Sequence, residues 1–358
     1  MVIPPYKLLF MSTPVGALGT GLGGGVELIL FNYAQELLRR GHKVEVVAPQ
    51  GSAMGSLSIK EIPGELQVPG QTQSRTDPVY IPNNSVLANM WDYARQVQED
   101  YDLILNFAYD WLPLYLTPFF NRPIAHFISM SSLTDAIDQI IKLVVNNFPG
   151  TVAVQGKIQA STFIFPEQFT YLSNCVDVSA YQFCNQPSSA LAWAGRIAPE
   201  KGLEDAVAAA KITGITLKIF GLRQNEAYWE QICQEYPDAP IEYIGFLQTN
   251  ELQKQLGKCR AFLATPRWID AYPTVTLEAL ACGVPLIAYS RGGLAEIVKD
   301  GETGFLVEPD SVKGLVEAIY RLNEIDRRAC RQRAETLYSL QAMGDRLEQW
   351  FQKILKNE

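Results

Sequence analysis

Short apolar runs, each followed by a stretch of helical patterning, recur from one end of this chain to the other, and no other feature constrains the fold as tightly. A strand, a helix and a second strand in that order bury their apolar faces by laying the helix on a sheet whose strands run parallel. Residues 8–12 read as the first strand, 26–40 as the first helix and 43–48 as the second strand. Residues 86–99 read as a helix, and 102–106 and 124–129 as buried strands. The second half repeats the order, with strand-like runs at 190–194, 218–220, 242–244, 261–264 and 285–288 and a helix at 203–211. Residues 51–84 contain Pro63, Pro69, Pro78 and Pro82 and read as a long, turn-rich loop. A chain of 358 residues exceeds what one core organises, so two domains are expected. The expected division is 1–178 and 179–338, crossing over near 172–186, with a C-terminal helix in 339–358 whose apolar stripe is Met343, Leu347, Trp350, Phe351 and Ile354.

Two stretches of the second half carry the chemistry. Gly195-Arg196-Ile197-Ala198-Pro199-Glu200-Lys201-Gly202 follows one strand and precedes a helix, which puts two cations at the carboxyl edge of a parallel sheet. Cations held there suit a diphosphate, Arg196 as a fork and Lys201 as a point charge; the other reading is two solvated loop cations. Further on, TPRWIDAYPTVTLEALACGVP spans 265–285, with Asp270 in an irregular turn and Glu278 one turn into a short helix. The helix start offers unpaired N–H groups and partial positive charge to a phosphate. A spacing of eight between the two carboxylates fits neither one strand face nor a helical stripe, so they are expected to grip different ends of an extended ligand. The alternative is a helix-end carboxylate plus a surface Asp.

This series, a G-R-x4-K-G loop and then a carboxylate, seven residues and a Glu, resembles the retaining, GT-B-fold glycosyltransferases of family 4 (glycosyltransferase group 1). Further motifs agree along nearly the whole chain: Gly21-Leu22-Gly23-Gly24-Gly25-Val26-Glu27, Arg40-Gly41-His42, Asn174-Cys175-Val176-Asp177 at the hinge, Gly245-Phe246-Leu247 and Gly292-Gly293-Leu294-Ala295-Glu296. The resemblance implies two Rossmann-like parallel-sheet domains facing a central cleft, with the C-terminal helix crossing back to the first. It implies a nucleoside diphosphate sugar as donor, UDP-glucose first, with no metal and no cofactor. By the same resemblance, Arg196, Lys201 and the amides near Thr274 and Val275 meet the diphosphate, and Gly23 and Gly24 let the first-domain backbone approach it. Glu278 would hold the ribose hydroxyls, Asp270 a sugar hydroxyl, and the 245–247 backbone the base. His126 matches the family's active-site histidine near the donor sugar, with a core histidine as the alternative; His42 reads as structural. Two departures stand in the donor loop. Asp270 is one methylene shorter than the usual Glu, and Tyr272-Pro273 replaces Phe-Gly, where Tyr272 is expected as a donor contact and Pro273 lacks an N–H.

The acceptor is expected beside Phe107, Tyr109, Asp110, Trp111 and Tyr115, at the end of a first-domain strand. Aromatic rings there can stack a flat molecule and Asp110 can accept from its N–H groups; a hydrophobic helix start is the other reading. The opening STPVGALGTGLGGGVEL and this aromatic set resemble transferases that glucosylate tetrahydrobiopterin, which implies a small pteridine acceptor.

Composition narrows the class. A net charge of −8 argues against nucleic acid or an anionic membrane as partner, because both need basic surface. Hydrophobic content of 47% with 19% charged residues describes a globular chain rather than a disordered one. No apolar run reaches membrane-spanning length, and the segment 133–148 has only Lys142 against Asp135 and Asp138, so core packing is expected of it. Cys175, Cys184, Cys233, Cys259, Cys282 and Cys330 are scattered without metal spacing and read as reduced thiols in the cytoplasm. Two other classes compete. A Rossmann oxidoreductase should close its second strand with an acid, and here that strand ends Ala48-Pro49-Gln50. A nucleotide-sugar-binding protein without transfer activity would also carry most of these motifs.

Overall fold

The structure is a computed structural model and describes residues 4–356. It divides into two compact units, one closing at Asn174 and taking in the helix Leu340–Lys356, the other running Cys175–Ser339.

The first unit holds seven strands: β1 (Lys7–Met11), β2 (Lys43–Pro49), β3 (Ile59–Ile62), β4 (Leu103–Asn106), β5 (Ile124–Ile128), β6 (Val152–Val154) and β7 (Thr170–Tyr171). They lie in the order β3-β2-β1-β4-β5-β6-β7, and every neighbouring pair is parallel. Helices cover both faces of such a sheet, so its strands read as continuous apolar runs rather than alternating ones. β4 and β5 are buried along their whole length. The direction of winding reverses between β1 and β4, and the carboxyl edge at such a switch point is where open α/β sheets bind ligands.

The second unit repeats the plan with β8 (Leu191–Ala194), β9 (Leu217–Phe220), β10 (Ile241–Gly245), β11 (Ala261–Ala264), β12 (Leu286–Tyr289) and β13 (Gly304–Val307). The order is β10-β9-β8-β11-β12-β13, again parallel throughout. Its switch point lies between β8 and β11. The loops leaving those two strands are therefore neighbours although about seventy residues separate them.

The 51–84 segment differs from its reading as a loop. It contains β3, a largely exposed edge strand whose Lys60 and Glu61 break any apolar run. β6 and β7 are too short to show a period, and β13 opens on a glycine, so none was legible. Gly304 has φ 152°, and a Cβ there would stand 1.9 Å from the Leu286 carbonyl oxygen, so the strand can begin only with Gly.

The helix Leu340–Lys356 buries Met343, Leu347, Trp350, Phe351 and Ile354 within the first unit. Burying the two aromatic side chains stabilises by about 3–6 kcal/mol before entropy is counted. Polar contacts fix the register: Arg40 pairs with Glu36, Asp345 and Glu348, and the Trp350 indole N–H donates to the Gly150 carbonyl at 2.7 Å. His42 is structural, as expected. Its Nδ1 accepts from the Tyr6 N–H at 3.0 Å, which leaves Nε2 to donate to Glu348 Oε1, also at 3.0 Å. The helix Asp135–Asn147 turns Ile137, Ile140, Ile141, Val144 and Val145 into a core with Val152, Val154 and Phe163, so this stretch packs inside the protein.

Candidate functional site

In the second unit the loop after β8 meets the loop after β11. Gly202 has φ 62°, and a Cβ on it would lie 2.0 Å from the Thr265 carbonyl oxygen, so the two loops touch backbone to backbone. Thr265 Oγ1 donates to the Gly202 carbonyl at 2.7 Å and accepts from the Trp193 indole at 3.3 Å. This contact brings Lys201 Nζ to 2.7 Å from Asp270 Oδ2, with Trp268 beneath the ammonium at 4.9 Å from its ring centroid. Lys201, Asp270, Pro273, Val275 and Thr276 line one cavity on this edge. Two glycines behind the loop hold Asp270 in place. Cβ atoms on Gly292 and Gly293 would stand 2.3 Å and 2.0 Å from the carbonyl oxygens of Asp270 and Ala271, and the Gly293 N–H donates to the Asp270 carbonyl. Arg267 ties the loop to Glu204, Asp205 and Asp310.

Arg196 is not brought beside Lys201. Half-exposed, it donates to Gln224 and pairs with Glu200, and it lines a separate cavity with Leu222, Arg223 and Tyr243. Arg223, which sequence reasoning passed over, lies 4.6 Å from the Trp229 centroid and 4.2 Å from that of Tyr243. Two aromatic faces hold a guanidinium through cation–π attraction. Gly245 closes β10 with φ 88°, its carbonyl accepts from the Gly221 N–H, and the Phe246 ring after it is exposed; Leu247 packs towards the core.

The helix Thr274–Ala281 starts after Pro273 with no side-chain cap, and Val275 and Thr276 of its first turn line the same cavity as Asp270. Glu278 points elsewhere. It is buried, its Oε1 accepts from the Tyr181 hydroxyl at 2.7 Å, and burial raises its carboxyl above the ordinary value while that bond opposes the rise. Asp270 and Glu278 thus have different partners. Tyr272 must be corrected as a donor contact: its ring is buried edge-on against Tyr338 in the unit's core, at 6.2 Å between centroids.

In the first unit the glycine loop is already occupied by a side chain. The Glu27 carboxylate, buried in the first helical turn, accepts from the N–H groups of Gly19 (2.9 Å), Gly21 (3.3 Å) and Gly23 (2.6 Å). The Gly24 N–H donates to the Gly21 carbonyl. The Gly23 and Gly24 N–H groups are thus bonded within the loop and its following helix. The sequence signal was present: an acid two residues past Gly25 can fold back onto the loop before it.

His126 is also corrected. It lies inside β5 with no exposure, its Nδ1 3.2 Å from the Asn106 amide and its Nε2 3.0 Å from Thr117 Oγ1. Burial pushes its pKa down to about 3, so the ring is neutral and satisfied inside the core. Tyr109, Asp110 and Trp111 do share one cavity, whose opposite wall is Val68, Gly70, Asp77, Val79 and Tyr80. Asp110 caps the helix Trp111–Leu116 through the Leu112 N–H and accepts from Gln67 Nε2 at 3.2 Å; burial pushes its carboxyl up to about 6. The Tyr109 hydroxyl accepts from the Leu133 N–H, and Trp111 stacks on Tyr115 at 4.5 Å.

Residues 185–337, nearly all of the second unit, match the profile of the family described as Glycosyl transferases group 1. The uncharacterized glycosyltransferase MJ1178 of Methanocaldococcus jannaschii is 31% identical over 128 residues, 36% of this chain and 36% of its own length. A glycogen synthase of Mycobacterium tuberculosis is 31% identical over 162 residues, 42% of this chain and 39% of its own. The chain thus spans little more than a third of the curated relatives it matches. Among solved structures, Anabaena Alr3699/HepE in complex with UDP superposes with a TM-score of 0.78 at 17% identity, over 97% of this chain and 100% of that one. The sucrose-phosphate synthase (tll1590) from Thermosynechococcus elongatus gives 0.77, also at 17% identity, over 98% and 100%. The solved structures show the fold, two Rossmann-like parallel-sheet domains of the GT-B type, and the profile and curated relatives support the group 1 glycosyltransferase family through the second unit.

Proposed function

We propose that the protein is a retaining, metal-independent glycosyltransferase that moves a hexose from a nucleoside diphosphate sugar to a small acceptor. UDP-glucose is the proposed donor. The observation that carries this reading is the Lys201–Asp270 pair, set on a cavity at the switch point of the second sheet and beside an uncapped helix start. A diphosphate laid against Lys201 exchanges one anionic partner for another, and the freed Asp270 carboxylate takes a hydroxyl of the sugar. Loss of the donor's C1–O bond leaves charge on the departing diphosphate, and the Lys201 ammonium with the first-turn amides stabilises that charge as it grows. The acceptor hydroxyl attacks C1 on the face the diphosphate leaves. Its proton passes to a phosphate oxygen, so no carboxylate nucleophile is needed. The second cation of the reading, Arg196, is exposed, bonded to Gln224 and Glu200, and lines a cavity other than that of Lys201.

For the acceptor the proposal is tetrahydrobiopterin, as in the cyanobacterial UDP-glucose:tetrahydrobiopterin glucosyltransferase. Its support here is the cavity of Tyr109, Asp110 and Trp111, which presents aromatic side chains and a half-buried carboxylate to a flat ring bearing N–H groups. The test is UDP release from UDP-glucose, with and without the pterin and with and without EDTA. Release that rises with the pterin and ignores EDTA is expected, and Lys201→Ala and Glu278→Ala should each lower it at least 100-fold, a few kcal/mol of transition-state stabilisation, while the protein stays folded. Full activity in both variants overturns the donor assignment; release indifferent to the pterin overturns the acceptor.

A further inference from the structure

The Glu278 carboxylate accepts a hydrogen bond from 97 residues upstream, where Tyr181 follows the turn Val178–Ala180. Both side chains are buried and the hydroxyl–carboxylate distance is 2.7 Å. Tyr181 is itself held at the backbone: the Arg331 guanidinium donates to the carbonyls of Tyr181 at 2.7 Å and Ala281 at 2.5 Å, tying the Tyr181 turn to the end of the Glu278 helix. An ionised carboxylate buried with so little compensation is costly, and its rotamer is fixed only by what it bonds. A phenol that donates to Oε1 supplies both a partner and an orientation.

We propose that Tyr181 is a positioning residue for the donor nucleotide: it fixes Glu278 through Oε1 and so presents Oε2 to the ribose hydroxyls. This rests on the donor reading above. Tyr181 remains bonded when nucleotide binds, and the ribose adds to the carboxylate instead of displacing the phenol. The titratable and charged groups around Glu278 and its Tyr181 partner include Asp177 from the turn, Cys282 at the end of the Glu278 helix, and Arg327 and Arg331 from the helix Arg327–Arg333. Burial raises the Glu278 carboxyl and the Tyr181 bond opposes the rise, so loss of the phenol lets the carboxyl climb further and stay protonated to higher pH. A protonated Glu278 is the poorer acceptor for ribose.

The probe is UDP alone, titrated calorimetrically into the whole protein between pH 5 and 9. Tyr181→Phe keeps the ring in its pocket and should weaken UDP binding roughly ten-fold near neutral pH, with the acid limb of the affinity profile displaced upward. Equal or tighter binding by the variant, or an acid limb that stays put, overturns the inference. If Lys201→Ala and Glu278→Gln also bind UDP as the parent does, the donor reading itself fails; if they lose it while Tyr181→Phe does not, only the role of Tyr181 fails. Should Tyr181→Phe not fold, carbon-13 NMR of the parent protein decides, since a Tyr181–Glu278 bond that breaks on UDP addition refutes the proposal and one that persists supports it.

Discussion

Asp110→Asn should stabilise this protein at pH 8 and not at pH 4. The parent carboxyl is mostly buried and sits at about 6, against an ordinary 3.8. Because the folded value is raised, the folded protein binds more protons than the unfolded chain between about pH 4 and pH 6, so stability falls as pH rises through that window. A gap of about two units corresponds to about 3 kcal/mol, an upper bound because water still reaches part of the site. Asn is as good an N-cap as Asp and keeps one oxygen for the Leu112 N–H, while the Gln67 amide can turn over to meet the new NH2 group. Against the gain stands about 1 kcal/mol from weakening two bonds to a charged acceptor. A net gain of about 1–2 kcal/mol is therefore expected at pH 8, with no gain or a small loss at pH 4. Urea unfolding of both proteins at the two pH values measures it, and a variant whose stability differs from the parent by the same amount at both would refute the reasoning.

Two further perturbations address the loops. Glu27→Gln replaces an oxygen with an N–H donor among three converging backbone donors, and an amide left unsatisfied should cost about 1–3 kcal/mol; faster hydrogen exchange at Gly19, Gly21 and Gly23 would locate the loss, and unchanged protection there would contradict the clamp. Gly293→Ala forces a Cβ to within 2.0 Å of the Ala271 carbonyl and should move the Asp270 loop at a cost of about 1–3 kcal/mol, with UDP-glucose turnover falling. Gly25→Ala, where a Cβ meets nothing within 4 Å, is the control that should leave stability almost unchanged.

Chain order alone determined the two parallel-sheet units and most of their strands, because a strand buried on both faces writes itself as an apolar run that no neighbour can alter. Leu191–Ala194, Ala261–Ala264 and the stripe of Met343, Leu347, Trp350, Phe351 and Ile354 are such local records. β3, with Lys60 and Glu61 facing out, has no such record, since an edge strand forms by pairing with its neighbour and not by burying itself. The acidic and basic residues of the donor loops were legible as types and spacings. Their partners were not: Lys201 faces Asp270 because β8 and β11 are adjacent across the switch point, and Glu278 faces Tyr181 because Arg331 ties two distant turns together. The same dependence governs His126 and the glycine loop. A histidine in a strand and an amide in a glycine loop look alike in sequence whether they face a ligand or the protein; the packing of Asn106 and Thr117 on His126, and of Glu27 under Gly23, made both face the protein.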